Sequence, residues 1–276
     1  MVSRRLLLGA LASGLAAPAL AWAEGDDPAP SVLTRKGRRT RRALKTQAAD
    51  KAALDKALAQ VKPLEDPDAV EPAEVHAPQA VSPDEALGRL KQGNAIFARG
   101  GAGIALPTLA RLAELANGQR PFAVIVGCSD SRVAPELVFD CNLGELFVVR
   151  VAGSTVGREG LGSIVYAVER LGAPLVVVLG HTRCDVVGAA VDMVTKHNAP
   201  RGALLDVALP IVPAVLKAQE THPADLQDAA VRQNVRDVAA RLKTADGTLA
   251  QKLTEGRVKI VSAVYDLASG VVAFDA

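Results

Sequence analysis

Four short runs of apolar residues recur along the chain after residue 120. They are rich in Val and comprise Phe122–Gly127, Leu146–Val151, Leu175–Gly180 and Val258–Val264. Nearly continuous runs of this length are typical of strands that are buried on both faces of a parallel sheet. The segments between them are long enough for helical crossovers. The pattern therefore predicts an α/β fold, with a mainly parallel β-sheet flanked by helices.

The flanking segments carry helix signals. Ser82-Pro83-Asp84-Glu85 has the form of a helix start, with Ser as the cap, Pro at the first position and Glu three residues after the cap. The apolar face that follows it extends to near Gly100. Further helices are predicted over residues 109–117, 160–171 and 184–196, and two or three more over 203–254. The ordered domain is predicted to span residues 82–276.

The first 23 residues have the pattern of an export signal. The pair Arg4–Arg5 precedes the uncharged, Ala-rich stretch Leu6–Ala23, which is typical of a cleaved signal peptide. The paired arginines resemble a twin-arginine signal and favour a periplasmic protein. The alternative is a membrane anchor, but Pro18 and the many small residues make the stretch weakly apolar for a bilayer span.

Residues 24–81 are predicted to form a polar, Pro-rich linker, with one possible helix over 43–61. A basic cluster within residues 35–42 carries enough positive charge to bind nucleic acid or anionic lipid. Acidic residues within 65–74 follow it closely, so we interpret the cluster as a solvated basic arm.

Composition narrows the classes of function. The 32 Lys and Arg against 30 Asp and Glu leave a net charge of +2, too small for a global field that attracts nucleic acid. With 49% hydrophobic and 22% charged residues, disorder throughout the chain is excluded. Three cysteines also exclude a framework of several disulfides.

Chemically active side chains follow two of the predicted strands. Cys128, Asp130 and Arg132 come directly after the first run, and His181 and Cys184 directly after the third. The carboxyl ends of parallel strands meet at one edge of a sheet, where such folds bind ligands. Two thiolates and an imidazole are ligands that suit Zn²⁺. A fourth position filled by water makes such a site catalytic, whereas a carboxylate there closes it.

Asp130 is the candidate fourth ligand, and Arg132 is its candidate ion-pair partner. A redox pair of Cys128 and Cys184 is the competing interpretation, but these residues lack Cys-X-X-Cys spacing and that reading leaves Asp130 and Arg132 without a role. The remaining cysteine, Cys141, is predicted to be a reduced or buried thiol. His76, His197 and His222 are predicted to be surface residues.

The combination of motifs resembles the β-class carbonic anhydrases. Cys-X-Asp-X-Arg from Cys128 and His-X-X-Cys from His181 carry the resemblance, which extends over residues 82–276 and includes Gly93-Asn94 and Gly144-Glu-Leu-Phe-Val-Val-Arg150. It implies a zinc lyase that interconverts carbon dioxide and bicarbonate, with one zinc per chain. It also implies Cys128, His181 and Cys184 as ligands, an Asp130–Arg132 pair beside the metal, and a homodimer or higher even oligomer.

Some positions depart from that family's pattern. Asp185 stands where the family commonly has Gly, and Val151 and Ser154 stand where it often has Asn. Asp185 has two interpretations: a carboxylate at a helix start, or a residue that alters access to the site.

The mechanism that this ligand set predicts is attack of zinc-bound hydroxide on carbon dioxide. Two thiolates leave the metal less electropositive than a site of neutral imidazoles does, so the pKa of its water falls only towards ~7–8. Two other functions share the ligands: a hydrolase of carbonyl sulfide or carbon disulfide, and a non-catalytic zinc domain. An interaction module built on the basic arm is the weakest alternative.

Overall fold

The computed structural model describes residues 81–101 and 107–275, in which a five-stranded sheet forms the centre. Its strands are β1 (Ala123–Gly127), β2 (Leu146–Arg150), β3 (Leu175–His181), β4 (Lys259–Tyr265) and β5 (Val272–Phe274). Their order is β2-β1-β3-β4-β5. The first four are parallel, and β5 is antiparallel to β4. The predicted α/β fold is confirmed, although no apolar run predicted the three-residue strand β5.

Helices cover both faces of the sheet. They are α1 (Pro83–Phe97), α2 (Leu109–Leu115), α3 (Pro135–Val138), α4 (Arg158–Glu169), α5 (Asp185–Thr195), α6 (Ala203–Ala208), α7 (Val212–Gln219), α8 (Leu226–Leu242) and α9 (Gly247–Thr254). The predicted start of α1 is confirmed, since the Ser82 hydroxyl accepts a hydrogen bond from the Glu85 N–H at 3.2 Å. None of the helices in the described ranges has the length and hydropathy that crossing a bilayer requires.

The prediction of two or three helices over 203–254 was wrong, because this segment holds four α-helices. Pro210 lies in a short 3₁₀ turn, Leu209–Ile211, and Pro213 lies in the first turn of α7. Proline lacks the N–H that a helix interior needs, so the chain divides into α6 and α7 here instead of forming one helix.

The core lies on both sides of β1 and β3, whose residues are all buried. Successive side chains of a strand point to opposite faces. Val124 and Val126 therefore pack on one face, among residues of α4, α5 and α8, whereas Ile125 packs on the other, towards α1 and α3. Cys128 and Cys184 belong to the first face and Cys141 to the second.

The sheet topology brings the predicted chemistry to one edge. β1 and β3 are adjacent and parallel, with Val126 paired with Val178, so both strands end on the same side of the sheet. Cys128 follows the last residue of β1, and His181 is the last residue of β3. The predicted signal peptide and the helix over 43–61 lie outside the described residues, as does the predicted linker over 24–81 except for its last residue, Val81.

Candidate metal centre

Three predicted ligands converge at this edge. The ligand atoms of Cys128, His181 and Cys184 all lie within 4.8 Å of one another, and all three residues are buried. The two Sγ atoms are 4.0 Å apart. Tetrahedral zinc with Zn–S bonds of about 2.3 Å places two sulfurs about 3.8 Å apart, whereas a disulfide brings them to about 2.05 Å. Both cysteines are free, so the spacing fits a shared metal and not a disulfide.

The orientation of the His181 ring supports a metal as well. Its Nδ1 lies 3.0 Å from the Thr182 carbonyl oxygen and donates a hydrogen bond to it, so Nε2 carries the lone pair. Nε2 is buried and has no hydrogen-bond partner. Leaving a buried polar atom unpaired is costly, and a ligating histidine commonly donates its other ring N–H to a carbonyl. Nε2 is therefore oriented as a metal ligand.

The electrostatics of the two thiols prepare them to bind a cation. Hydrogen bonds from the Cys184 thiol and from the Gly153 N–H lower the pKa of Cys128. The pKa of Cys184 is raised, because its proton is shared with Cys128 and because it is buried. Metal ligation requires deprotonated thiols and releases their protons. A divalent cation that binds between these sulfurs therefore displaces the remaining thiol proton.

Asp130 and Arg132 form a complete ion pair beside this cluster. Arg132 donates from Nε and its own backbone N–H to Oδ1, both at 2.9 Å, and from a terminal nitrogen to Oδ2 at 2.6 Å. These hydrogen bonds hold the pKa of Asp130 well below its usual range. Asp130 Oδ2 lies 3.8 Å from His181 Nε2. The structure therefore shows Asp130 next to the cluster but held by Arg132, and its ligation of zinc stays a prediction.

Arg150 supports the same loop, although the sequence analysis assigned it no role. It ends β2, and it donates from Nε to the Cys128 carbonyl at 2.8 Å and from a terminal nitrogen to the Asp130 carbonyl at 2.6 Å. The sequence does carry a signal for this role. Arg150 is a charged residue at the end of an apolar run, and the parallel strand β1 ends beside it, just before Cys128.

Helices α5 and α8 position the second thiolate. Cys184 is the N-cap of α5, and the backbone N–H groups of Val187 and Val186 oppose the rise in its pKa. The Gln227 amide of α8 donates to the Cys184 carbonyl at 2.9 Å. Arg183 has a positive φ of 56°, a conformation that turns the chain between His181 and Cys184. Strained backbone of this kind concentrates at functional sites.

Comparison with known proteins agrees with this geometry. A sequence profile described as carbonic anhydrase matches residues 123–272. A carbonic anhydrase of Mycolicibacterium smegmatis is 39% identical over 189 residues, which is 68% of this chain and 91% of that protein. The solved structure of the β-carbonic anhydrase CcaA has the same fold, with a TM-score of 0.55 at 24% identity, over 68% of this chain and 94% of that one. The chain belongs to the β-carbonic anhydrase family.

A second solved β-carbonic anhydrase, from Coccomyxa and in complex with acetazolamide, gives a TM-score of 0.52 at 25% identity. That match covers 59% of this chain and 75% of the Coccomyxa chain.

Among the departures from the family pattern, Asp185 is the first residue of α5 and is exposed. Asp130 mainly, and Asp185 to a lesser extent, raise the pKa of Arg132. Asp185 is therefore a helix-start carboxylate whose charge acts on the ion pair.

The other predicted residues of this β-carbonic anhydrase lie apart from the cluster. Cys141 is a free, buried thiol that donates to the Phe139 carbonyl at 3.3 Å, as predicted. Burial, followed by the charge of Glu145, raises the pKa of Cys141 to about 12. His197 and His222 are exposed, which confirms the prediction for both, whereas His76 lies outside the described residues.

Proposed function

We propose that this protein is a zinc-dependent carbonic anhydrase, which reversibly hydrates carbon dioxide to bicarbonate and a proton. The observation that carries the proposal is the buried group Cys128, His181 and Cys184, with an ion-paired carboxylate beside it. The same residues carry the resemblance to the family, so the sequence and the geometry support one activity.

The donor set fits Zn²⁺ through two thiolates and one imidazole nitrogen. Zinc in this site supplies a Lewis acid that makes water a nucleophile near neutral pH. The chain itself supplies orientation. Arg132 holds Asp130 in one position, where the carboxylate would accept a hydrogen bond from the attacking water and orient its lone pair towards carbon dioxide. Arg150 fixes the loop on which Asp130 stands.

No observation on the described residues favours the two alternative functions that share these ligands. A non-catalytic zinc domain requires Asp130 on the metal, yet both of its carboxylate oxygens are bonded to Arg132. A hydrolase of carbonyl sulfide or carbon disulfide requires a difference in substrate access, and the arrangement of Cys128, His181 and Cys184 is common to both reactions.

One experiment separates these functions. The purified protein is assayed for metal content, for carbon dioxide hydration by stopped flow, and for hydrolysis of carbonyl sulfide and carbon disulfide. We expect zinc and rapid hydration, with the sulfur substrates converted slowly or not at all. Zinc without any hydration would contradict the proposal, and preferential turnover of a sulfur substrate would replace it with the hydrolase.

We also propose that residues 1–23 are a twin-arginine-type signal and that the mature enzyme is periplasmic. The support is the Arg4–Arg5 pair before an uncharged, Ala-rich stretch. In cell fractionation, replacing both arginines by Lys should retain the protein in the cytoplasm, because a translocase that reads the arginine pair does not accept Lys. Replacing Arg38 and Arg39 by Lys is the matched control and should leave export unchanged.

We further propose that residues 24–81 are a linker, that 82–276 form the catalytic domain, and that the enzyme is a homodimer or a higher even oligomer. We expect the mature protein without residues 24–81 to keep the same hydration rate per zinc, because the proposed site lies entirely within 82–276. Light scattering of the full mature chain measures the oligomer. A monomer with full activity would contradict the oligomer proposal.

A further inference from the structure

A strained turn lies directly against the metal centre. It follows β2 and covers Ala152–Ser154, in which Gly153 has a φ of 78° and Ser154 a φ of 54°. A left-handed conformation is unfavourable for a serine. The turn is also closely packed, since a Cβ on Gly153 would meet Ile211 Cδ1 at 2.6 Å. Such strain persists only where the surroundings hold it in place.

Two buried hydrogen bonds hold this turn. The side-chain amide of Asn234, on α8, donates to the Gly153 carbonyl at 2.9 Å. The Ser154 hydroxyl donates to the Leu179 carbonyl of β3 at 2.8 Å. Asn234 is only 3% exposed, so the core accommodates a polar side chain whose amide bonds this strained turn. The amide thus ties α8 to the backbone that passes the metal site.

The held turn contacts a ligand. The Gly153 N–H donates to Cys128 Sγ across 3.3 Å. A hydrogen bond to a thiolate withdraws electron density from its sulfur, so the sulfur gives less charge to a bound metal. A metal held by Cys128 would then be a stronger Lewis acid, which would partly offset the weakening that two thiolates cause.

We propose that Asn234 is a positioning residue: through Gly153 it keeps a backbone hydrogen bond on the Cys128 thiolate and so sets the Lewis acidity of the metal. The inference rests on the proposed function, because it assigns Asn234 a part in the activation of water by zinc. Asn234 donates its hydrogen bond to the Gly153 carbonyl and not to a metal ligand. Its effect is transmitted by one peptide segment, whose strained geometry this hydrogen bond helps to hold.

The test uses the full chain loaded with Co²⁺, which reports thiolate ligation through a sulfur-to-metal charge-transfer band. The variant Asn234→Leu keeps the same branched arrangement of heavy atoms, with a larger volume, and removes the amide donor. We expect its band to move to longer wavelength, because the Cys128 sulfur loses its hydrogen bond and its lone pair rises in energy. If Asn234→Leu does not fold, Asn234→Ala removes the same donor with a smaller side chain.

Val238→Ala is the matched control, since Val238 is 4% exposed and lies one turn further along α8. It should lower the melting temperature and leave the cobalt band in place. An unshifted band in folded Asn234 variants would overturn the inference, as would an equal shift in Val238→Ala. The spectrum needs no turnover. One further outcome is that the cobalt band shifts as expected in a protein that hydrates no carbon dioxide when it is loaded with zinc. That result would refute the proposed function and leave the role of Asn234 standing.

Discussion

Gly93 of α1 lies so close to Phe139 that a Cβ on Gly93 would stand 1.9 Å from the Phe139 carbonyl oxygen. The next residue, Asn94, depends on this proximity. Its buried amide donates to the Val138 and Gly270 carbonyls at 3.1 and 2.9 Å and accepts from the Val272 N–H at 2.8 Å. The hydrogen bonds of Asn94 thus join α1 to α3 and to the turn that leads into β5.

Gly93→Ala should therefore destabilise the protein. Overpacking usually costs about 1–3 kcal/mol, and a backbone neighbour that cannot rotate away places this change at the upper end. Gly88→Ala is the control on the same helix, because nothing lies within 4 Å of its Cβ position. It should stabilise by up to about 1 kcal/mol, since Ala favours a helix over Gly. Thermal melts of the two variants should move in opposite directions, and equal shifts would contradict this packing.

The second prediction concerns metal content. The purified protein should hold close to one zinc per chain, because Cys128, His181 and Cys184 form a single site among the described residues. Cys184→Ser should lose most of it, since a hydroxyl is a far poorer zinc ligand than a thiolate. Atomic absorption on the two proteins measures the difference. A fully occupied Cys184→Ser variant would show that the ligand assignment is wrong.

The third prediction concerns Cys141. Its pKa of about 12 and its burial keep it a neutral thiol, so iodoacetamide at pH 8 should leave it unmodified in the folded protein. Cys141→Ala should retain zinc and nearly all hydration activity. It also controls for the loss of a cysteine in Cys184→Ser. Loss of zinc from Cys141→Ala would mean that Cys141 supports the metal centre.

The fourth prediction concerns pH. Asp130 has a lowered pKa, so its ion pair is intact above the ordinary Asp range near 3.9 and is lost only as pH falls through the lower folded value. Hydration should rise from neutral to alkaline pH because water is activated less readily beside two thiolates. This rise cannot come from Asp130, which is already ionised.

Arg132→Ala should lower hydration at every pH while zinc stays bound, because it frees Asp130 to occupy the fourth position. Asp130→Ala should also keep zinc and lose much of the rate, since the orienting acceptor is gone. Stopped-flow profiles with parallel zinc assays measure both variants. Full activity and an unchanged pH profile in Arg132→Ala would mean that the pair is only structural.

The sequence was most informative where local pattern and tertiary structure agree. The apolar run at Leu175 and the cap at Ser82 predict β3 and α1, because a buried parallel strand and a capped helix each leave a local signal. Strand β5 has three residues and pairs only with the end of β4, so its existence depends on a neighbour and not on its own pattern.

The candidate site divides in the same way. Cys128, Asp130 and His181 were predictable because their chemistry is unusual and each follows an apolar strand. Asn234 and Gln227 were not, because an amide on a helix is ordinary in sequence. Only the packing of α8 shows that these two amides meet the backbone of the metal centre.

The 4.0 Å between the sulfurs of Cys128 and Cys184 has a consequence for the unfolded chain. These residues are 56 positions apart, so a metal that bridges them closes a long loop, as a covalent cross-link does. For a cross-link, the chain-entropy model gives a loop of this size on the order of 4 kcal/mol of stabilisation. The cysteines are free of disulfides, so a metal bound by Cys128 and Cys184 would be the cross-link between the end of β1 and the start of α5. A chelator that removes the metal would remove this stabilisation.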